Sequence, residues 1–202
     1  MMELPEFSEL TFEEKTHQYK LNGFEIPSVT TIMKPLSSAH YKTVDEEVLK
    51  KAATRGTTVH EAVENYLLFG VEDIPPELEG YFLGFKKWIM DFNPVPIKPE
   101  CKIYHKTLGY AGTADLPCYI KEQPTLVDLK TTATIAKMLT RVQLEAYKKA
   151  FESHGFTFTR KLIVQARNDG TYSVVEHEIN DAESWKVFTE LLDVHRYIKK
   201  YK

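Results

Sequence analysis

The chain has 202 residues, of which 43% are hydrophobic and 27% are charged, and its formal net charge is −3. These values are typical of a globular chain that buries a core, and they exclude a strongly basic protein that coats nucleic acid by charge alone. Two cysteines, Cys101 and Cys118, are too few for a four-cysteine zinc or iron–sulfur site and favour a reducing compartment. The acidic first residues do not form a signal peptide, and no segment approaches the roughly 18 apolar residues of a membrane span. We therefore expect a cytoplasmic protein with no membrane partner and no iron–sulfur cluster.

Turn signals and alternating residues predict a small β-structure near the start of the chain. Leu10–Phe12 and His17–Leu21 have strand-like patterns, and Asn22-Gly23 is a strong hairpin turn signal. The residues after the turn can pair back on the second strand. Residues 29–33 follow as a short helix, which we expect to end before Pro35 because the residue preceding a proline disfavours the helical conformation.

Apolar residues recur at helical spacing in four longer segments. These segments cover residues 44–69, 76–92, 133–154 and 181–201, the last with Asp181 as its N-cap. Strand-like runs lie between them. They cover residues 98–106, 109–116, 126–132, 162–166 and 172–179. We expect one α/β domain with a central mixed β-sheet flanked by helices. Its parts are an N-terminal hairpin extension at 1–43, a core at 44–180 and a C-terminal helix at 181–202.

Charged residues converge in a hairpin that we predict in the middle of the chain, with its turn at Lys121–Pro124. On its second strand, Asp128 and Lys130 alternate with apolar residues and therefore share one face. Pairing across the hairpin brings Asp115 near Asp128, and two close carboxylates repel each other unless a cation lies between them. A divalent cation with oxygen ligands fits this place, and the lysine can polarise a water or stabilise an anionic transition state. The Asp-x-Lys tripeptide on its own is more often an exposed strand edge.

A histidine on the helix at 44–69 shares a face with a glycine one turn earlier, since Gly56 and His60 are four residues apart. A glycine at this place permits close approach by another backbone or by a ligand. The run from His60 to Glu64 resembles the start of a zinc-protease motif, but Glu64 stands where the second histidine is required, so the match fails. A lone histidine on a helix most often has no ligand.

Candidate substrate contacts lie on two helices. Gln143 and Tyr147 are four residues apart and share a face of the helix at 133–154. A glutamine can donate to a phosphate, and a tyrosine can stack on a base or bind a phosphate, whereas the alternative is that both cover the edge of the core. Arg141 and Arg55 are further candidates for phosphate contacts, although solvated charges are the commoner case.

Four short motifs occur in a fixed order. They are Gly-x-x-x-His at 56–60, Gly-Thr-x-Asp at 112–115, Asp-x-Lys at 128–130 and Gln-x-x-x-Tyr at 143–147. This set resembles the PD-(D/E)xK nuclease superfamily, in particular its RecB-like and phage exonuclease branch, and is similar to mitochondrial genome maintenance exonucleases. The likeness covers approximately residues 50–180. Ala114 stands where the name-giving proline would be, a departure that is frequent in that branch. The resemblance implies a restriction-endonuclease-like core.

The resemblance also implies a function, a metal-dependent deoxyribonuclease, and favours an exonuclease that hydrolyses linear or single-stranded DNA. Asp115, Asp128, Lys130 and Glu100 would be its catalytic residues, and His60, Asp115, Asp128 and the carbonyl of Leu129 would bind the metal. Glu100 aligns with a family glutamate near the metal, and an ordinary strand-end carboxylate is the alternative. Magnesium suits the carboxylates, and the histidine makes manganese a good substitute.

Two other functions stay open at this stage. The first is an inactive nuclease-fold module that binds nucleic acid or a protein partner, and the second is a metal-dependent hydrolase of small phosphoesters. The sequence does not determine the oligomeric state, the polarity and strand preference of cleavage, or the choice between DNA and RNA.

Overall fold

The structure is a computed structural model that describes residues 6–14 and 16–201. The acidic first residues, from which we expected no signal peptide, fall mainly at 1–5, outside the described residues. The strands are β1 Leu10–Glu13, β2 Gln18–Leu21, β3 Phe24–Ile26, β4 Val95–Pro96, β5 Cys101–Tyr104, β6 Ala111–Ala114, β7 Leu116–Ile120, β8 Gln123–Lys130, β9 Arg160–Ala166 and β10 Tyr172–His177. The helices are α1 Val29–Ile32, α2 Lys34–His40, α3 Glu46–Phe69, α4 Glu79–Phe92, α5 Lys137–Glu152 and α6 Ala182–Lys200, with a 3₁₀ turn at Pro76–Leu78 before α4.

The centre of the fold is a five-stranded mixed sheet in the order β10-β9-β8-β7-β4. β8 and β9 are parallel, and the other neighbours are antiparallel. Parallel neighbours need a crossover, and α5 supplies it between β8 and β9. The predicted mixed sheet flanked by helices is therefore confirmed.

Two apolar layers cover the two faces of this sheet. On β8, Leu126 belongs to the layer that includes α1, α5 and α6, whereas Val127 and Leu129 belong to the layer with α3 and α4. Because side chains alternate along a strand, Asp128 and Lys130 lie on the same face as Leu126. The shared face that the sequence predicted for the Asp-x-Lys element is confirmed.

Two smaller sheets extend the core. β1, β2 and β3 form the predicted three-stranded meander, and β5 pairs with β6. The chain from β6 to β7 was predicted as one strand, but it changes sheets at Asp115. The first half pairs with β5, and the second half pairs with β8.

One predicted helix starts later than expected because of a contact with a distant strand. The helix predicted from residue 133 begins at Lys137, because the carbonyls of Thr132 and Ala133 are hydrogen-bonded to the side chain of Gln165. The short helix predicted at 29–33 is confirmed as α1, which ends at Ile32. A further helix, α2, then begins at Lys34 with Pro35 in its first turn, a position where the missing N–H costs nothing.

The hairpin turn and the strand predicted at 98–106 are both shorter than expected. Lys121 and Glu122 have positive φ and form a two-residue turn, so Gln123 and Pro124 belong to β8. The predicted strand at 98–106 is confined to β5, and the residues Val95–Pro96 add a short edge strand to the main sheet.

In the described part of the chain, no helix has the length and apolarity to cross a membrane.

Two helical glycines give a test of this packing. A Cβ at Gly84 would lie 2.7 Å from the Thr171 carbonyl oxygen, whereas a Cβ at Gly56 would have Thr131 Oγ1 as its nearest neighbour at 4.0 Å. No described backbone approaches Gly56 closely, so the glycine is not required there for packing. We expect Gly84→Ala to lower the free energy of unfolding by about 1–3 kcal/mol through overpacking. Gly56→Ala is the matched control and should raise it by about 0.5–1 kcal/mol, because alanine favours a helix. Urea denaturation measures both, and equal effects would contradict the packing described.

Candidate active site

The site forms where β7 leaves β8. The last residue pair between them is Leu116 with Val127, so the backbone of Leu129 has no strand partner on this edge. Two side chains provide the hydrogen-bond partners that the missing strand would have provided. Asp115 Oδ2 accepts a hydrogen bond from the Leu129 N–H at 2.7 Å, and His60 Nε2 lies 3.0 Å from the Leu129 carbonyl oxygen. The carbonyl can only accept, so the proton of this bond is on His60 Nε2.

The orientation of His60 turns its other ring nitrogen towards two carboxylates. Nδ1 lies 3.4 Å from Glu100 Oε1 and 3.7 Å from Asp115 Oδ2. One ligand atom from each of the three residues falls within 4.8 Å of the others, which is compact enough to bind one metal ion. Glu100 thus joins the residues that can ligate a metal, whereas Asp128 does not belong to this compact group.

Glu100 reaches the site through an unusual backbone conformation. Its φ is +45°, a region that residues with a side chain rarely adopt, and its N–H donates to the backbone carbonyl of Asp115 at 2.8 Å. Strained backbone of this kind is maintained when the surrounding structure requires it, and it is concentrated at functional sites. The conformation fixes Glu100 beside the point where the chain changes sheets.

Asp128 lies on the neighbouring strand and is 2% exposed. Lys130 Nζ lies 2.5 Å from Asp128 Oδ2 as an ion pair, yet neither carboxylate oxygen of Asp128 has hydrogen-bond geometry with any described residue. A buried carboxylate without hydrogen bonds is costly, and nearly all such groups in proteins have a partner. Oδ2 is thus occupied by the Lys130 ammonium, whereas Oδ1 has no partner among the described residues.

The buried charges shift one another's pKa values. Burial lowers the pKa of His60, but the charges of Asp115 and Glu100 outweigh burial and raise it to about 9. Burial raises the pKa of Asp115 and raises that of Asp128 to about 6, although the Lys130 ammonium opposes both shifts. Burial lowers the pKa of Lys130, but Asp128 and Asp115 outweigh this effect and raise it. Buried carboxylates whose pKa values are raised beside cationic partners are frequent at functional sites.

Of the two arginines predicted to contact the substrate, Arg55 lies near the site and Arg141 is held in an ion pair. Arg55 extends from α3 to the end of β8, where Nε lies 3.4 Å from Thr131 Oγ1 and the guanidinium covers the ring of Tyr81 at 5.1 Å. Arg141 is not free, because it forms two hydrogen bonds of 2.7 and 2.9 Å with Asp181 at the start of α6. A phosphate contact by Arg141 would therefore have to compete with this ion pair.

Gln143 and Tyr147, on α5, lie beside the strand that leads to Asp115. Tyr147 is 4% exposed, and its ring packs against Gly112, where a Cβ would come within 2.5 Å of the ring. Gln143 hydrogen-bonds the hydroxyl of Tyr147, and burial together with the Asp115 charge raises the pKa of that hydroxyl. The buried ring matches the alternative in which the pair covers the core edge, with its polar end towards Asp115.

Two residues near the site were missed at the level of sequence. The Tyr19 hydroxyl hydrogen-bonds Thr113 Oγ1 at 2.7 Å, so the N-terminal meander reaches the Gly-Thr-x-Asp strand. Gln165 holds the segment that follows Lys130. Neither residue has a sequence signal, since both contacts join segments that are far apart in the chain.

Comparisons with known proteins give little further information. No family model matches the chain, and no curated protein matches it. Among solved structures, the alkaline exonuclease LHK-Exo of Laribacter hongkongensis aligns with 70% of this chain and 82% of its own, at 16% identity and a TM-score of 0.35. The same enzyme in complex with dAMP aligns with 87% and 92%, at 12% identity and a TM-score of 0.39. The protein SSO0001 aligns with 80% and 82%, at 18% identity and a TM-score of 0.35. Likenesses this weak support no argument about the activity of this chain.

The raised pKa of His60 predicts how stability depends on pH in the absence of metal. A group whose folded pKa of about 9 exceeds its unfolded value contributes stability that is complete below about pH 6.5 and lost as the pH rises through 9. In EDTA, we expect His60→Gln to lower the free energy of unfolding at pH 6 and to have a much smaller effect at pH 9.5. Urea titrations at both pH values measure the difference.

His154→Gln is the control for this experiment, because burial lowers the pKa of His154. A lowered folded pKa costs stability as the pH falls below the unfolded value, so its pH trend should be opposite. A His60→Gln effect that is equal at both pH values would contradict the charge arrangement.

Proposed function

We propose that this chain is a metal-dependent deoxyribonuclease, and more specifically an exonuclease that hydrolyses phosphodiester bonds of linear or single-stranded DNA. One observation carries the proposal. Three potential ligands, His60, Glu100 and Asp115, converge at the start of β7, directly beside the ion pair of the buried Asp128 with Lys130. The ordered motifs that resemble the PD-(D/E)xK superfamily contribute His60, Asp115 and the Asp128–Lys130 pair, which supports a nuclease over other hydrolases.

The residues present fit a divalent cation. Oδ1 of Asp128 is buried with no partner among the described residues, and the carboxylates of Glu100 and Asp115 face the same histidine nitrogen. We propose His60, Asp115 and Asp128 as ligands, with Glu100 as a further ligand or a ligand of a second ion. The carbonyl of Leu129, which the resemblance also implies as a ligand, accepts from His60 Nε2 and so lies on the other side of the imidazole from Nδ1. Carboxylate oxygens favour Mg²⁺, and the imidazole nitrogen makes Mn²⁺ an effective substitute.

A metal ion held there supplies Lewis-acid chemistry, since it activates a bound water and offsets charge on the phosphate. The protein residues provide the rest. Lys130, oriented by Asp128, places an ammonium where it can orient the attacking water or stabilise the pentavalent phosphate. His60 holds its proton on Nε2 against Leu129, which leaves Nδ1 as the nitrogen that can ligate.

DNA as substrate follows from the resemblance, and the charges near the site are compatible with it. Arg55 stands at the exit of β8 and is partly exposed, so it can bind a phosphate next to the reacting one. Gln143 and Tyr147 lie near Asp115. Tyr147 is buried, whereas Gln143 is partly exposed. We propose both as contacts that orient the substrate or the site.

The function is tested with end-labelled linear DNA and closed circular DNA, each in double- and single-stranded form. We expect linear DNA to be degraded with Mg²⁺ or Mn²⁺ and to stay intact in EDTA, and closed circles to be resistant. Degradation of circles would contradict an exonuclease. Activity on a nitrophenyl phosphoester but not on polymers would support the small-phosphoester alternative. Binding without cleavage of any DNA or RNA would support an inactive module.

The role of Asp128 is tested by Asp128→Asn, which keeps the shape of the side chain and removes its charge. We expect activity to fall by roughly 10³-fold or more, because the variant loses a ligand and the partner that orients Lys130. Asp193→Asn is the matched control on the exposed surface of α6 and should retain wild-type activity. An active Asp128→Asn enzyme would contradict the proposed site.

A further inference from the structure

A buried amide lies next to Lys130 on the adjacent strand. Gln165 of β9 is the register partner of Lys130 in the parallel pair, and Ser173 of β10 is the register partner of Gln165. Register partners carry their side chains on the same face of a sheet, so these three residues form a row across it. Gln165 is 5% exposed and belongs to neither apolar cluster described above.

The amide of Gln165 has all four of its hydrogen-bonding positions occupied. Nε2 donates to the carbonyls of Thr132 at 2.7 Å and Ala133 at 3.0 Å. Oε1 accepts from Arg167 Nη2 at 3.1 Å and from Ser173 Oγ at 2.9 Å. Carbonyls only accept and a guanidinium only donates, so the orientation of the amide is chemically determined.

These bonds fix the segment that leaves the candidate active site. Thr132 and Ala133 follow Lys130 by two and three residues and lie in the loop before α5. Without Gln165, the carbonyls of Thr132 and Ala133 would lose these two amide donors. The loop could then join the N-terminal end of α5, as the sequence predicts. From the other side, Arg55 of α3 contacts Thr131, so side chains from one helix and one strand hold the segment that follows β8.

We propose that Gln165 is a positioning residue for Lys130 and Asp128, and that Arg167 and Ser173 hold it in place. The inference rests on the proposed function. Gln165 does not touch the groups that would react. It acts through the backbone of residues 131–133, whose path sets the direction of the Lys130 side chain. Misplacement of a catalytic group by about 1 Å can cost roughly 100-fold in rate, so such a residue has a measurable effect on kcat.

The test is Gln165→Glu, which keeps the acceptor oxygens for Arg167 and Ser173 but replaces the two N–H donors by an oxygen that the carbonyls repel. We expect kcat on linear DNA to fall roughly 10- to 100-fold, with KM for DNA within about threefold of wild type. The number of Mn²⁺ ions bound per chain should equal that of wild type. Hydrogen exchange at residues 131–136 should become faster, while exchange in β9 is unchanged.

Gln123→Glu is the matched control, since it makes the same substitution at the exposed opposite end of β8 and should change none of these quantities. Should Gln165→Glu fail to fold, Gln165→Met keeps the length and apolar part of the side chain and should show the same loss of kcat.

The outcomes separate this inference from the proposed function. A wild-type chain that cleaves DNA, together with an equally active Gln165→Glu, contradicts the positioning role alone. If Gln165→Glu loses kcat in proportion to a loss of bound Mn²⁺, the residue has a merely structural role, and this result also contradicts the positioning role. A wild-type chain that cleaves no nucleic acid contradicts the proposed function and removes the catalytic part of this inference with it.

Discussion

The candidate site depends on the departure of β7 from β8 at Asp115. A strand that loses its neighbour exposes an N–H and a carbonyl that must find other partners. Here both belong to Leu129, and the partners are the side chains of Asp115 and His60. This requirement brings α3 to the sheet and directs the second nitrogen of His60 towards Glu100, while Asp128 lies one residue before Leu129 on the same strand. The backbone's need for hydrogen bonds thus assembles the charged groups.

The assembled charges are not balanced among themselves. Asp128 is buried without a hydrogen bond from any described residue, and burial raises the pKa of both Asp115 and Asp128 despite the nearby Lys130. Another buried charge cluster in the same layer is different. Lys161 pairs with Glu145, and Lys148 bridges Glu145 and Glu152 at 3.5 and 2.6 Å, so each acid there has an ammonium. That cluster attaches α5 to β9, whereas His60, Glu100 and Asp115 form the compact group of potential metal ligands.

The supports of the site come from distant parts of the chain. The meander contributes Tyr19, which contacts the Gly-Thr-x-Asp strand, and α5 contributes Tyr147, which fills the space over Gly112. On the other side, β9 contributes Gln165 to the loop after Lys130. The candidate ligands therefore lie on strands and a helix whose positions are set by packed neighbours, which is the arrangement that keeps reacting groups within the small tolerances of catalysis.

The sequence by itself determined the elements whose signals are local. Alternation placed Asp128 and Lys130 on one face, and the spacing of apolar residues and Gly70 defined α3 together with its end. Only the tertiary structure decided the break at Asp115, the inclusion of Glu100 beside His60, the capture of Arg141 by Asp181 and the late start of α5. Each of these depends on a hydrogen bond or ion pair between residues far apart in the chain, and periodicity carries no information about such partners. For the same reason, the sequence could name the candidate residues, while their distances and charges had to come from the fold.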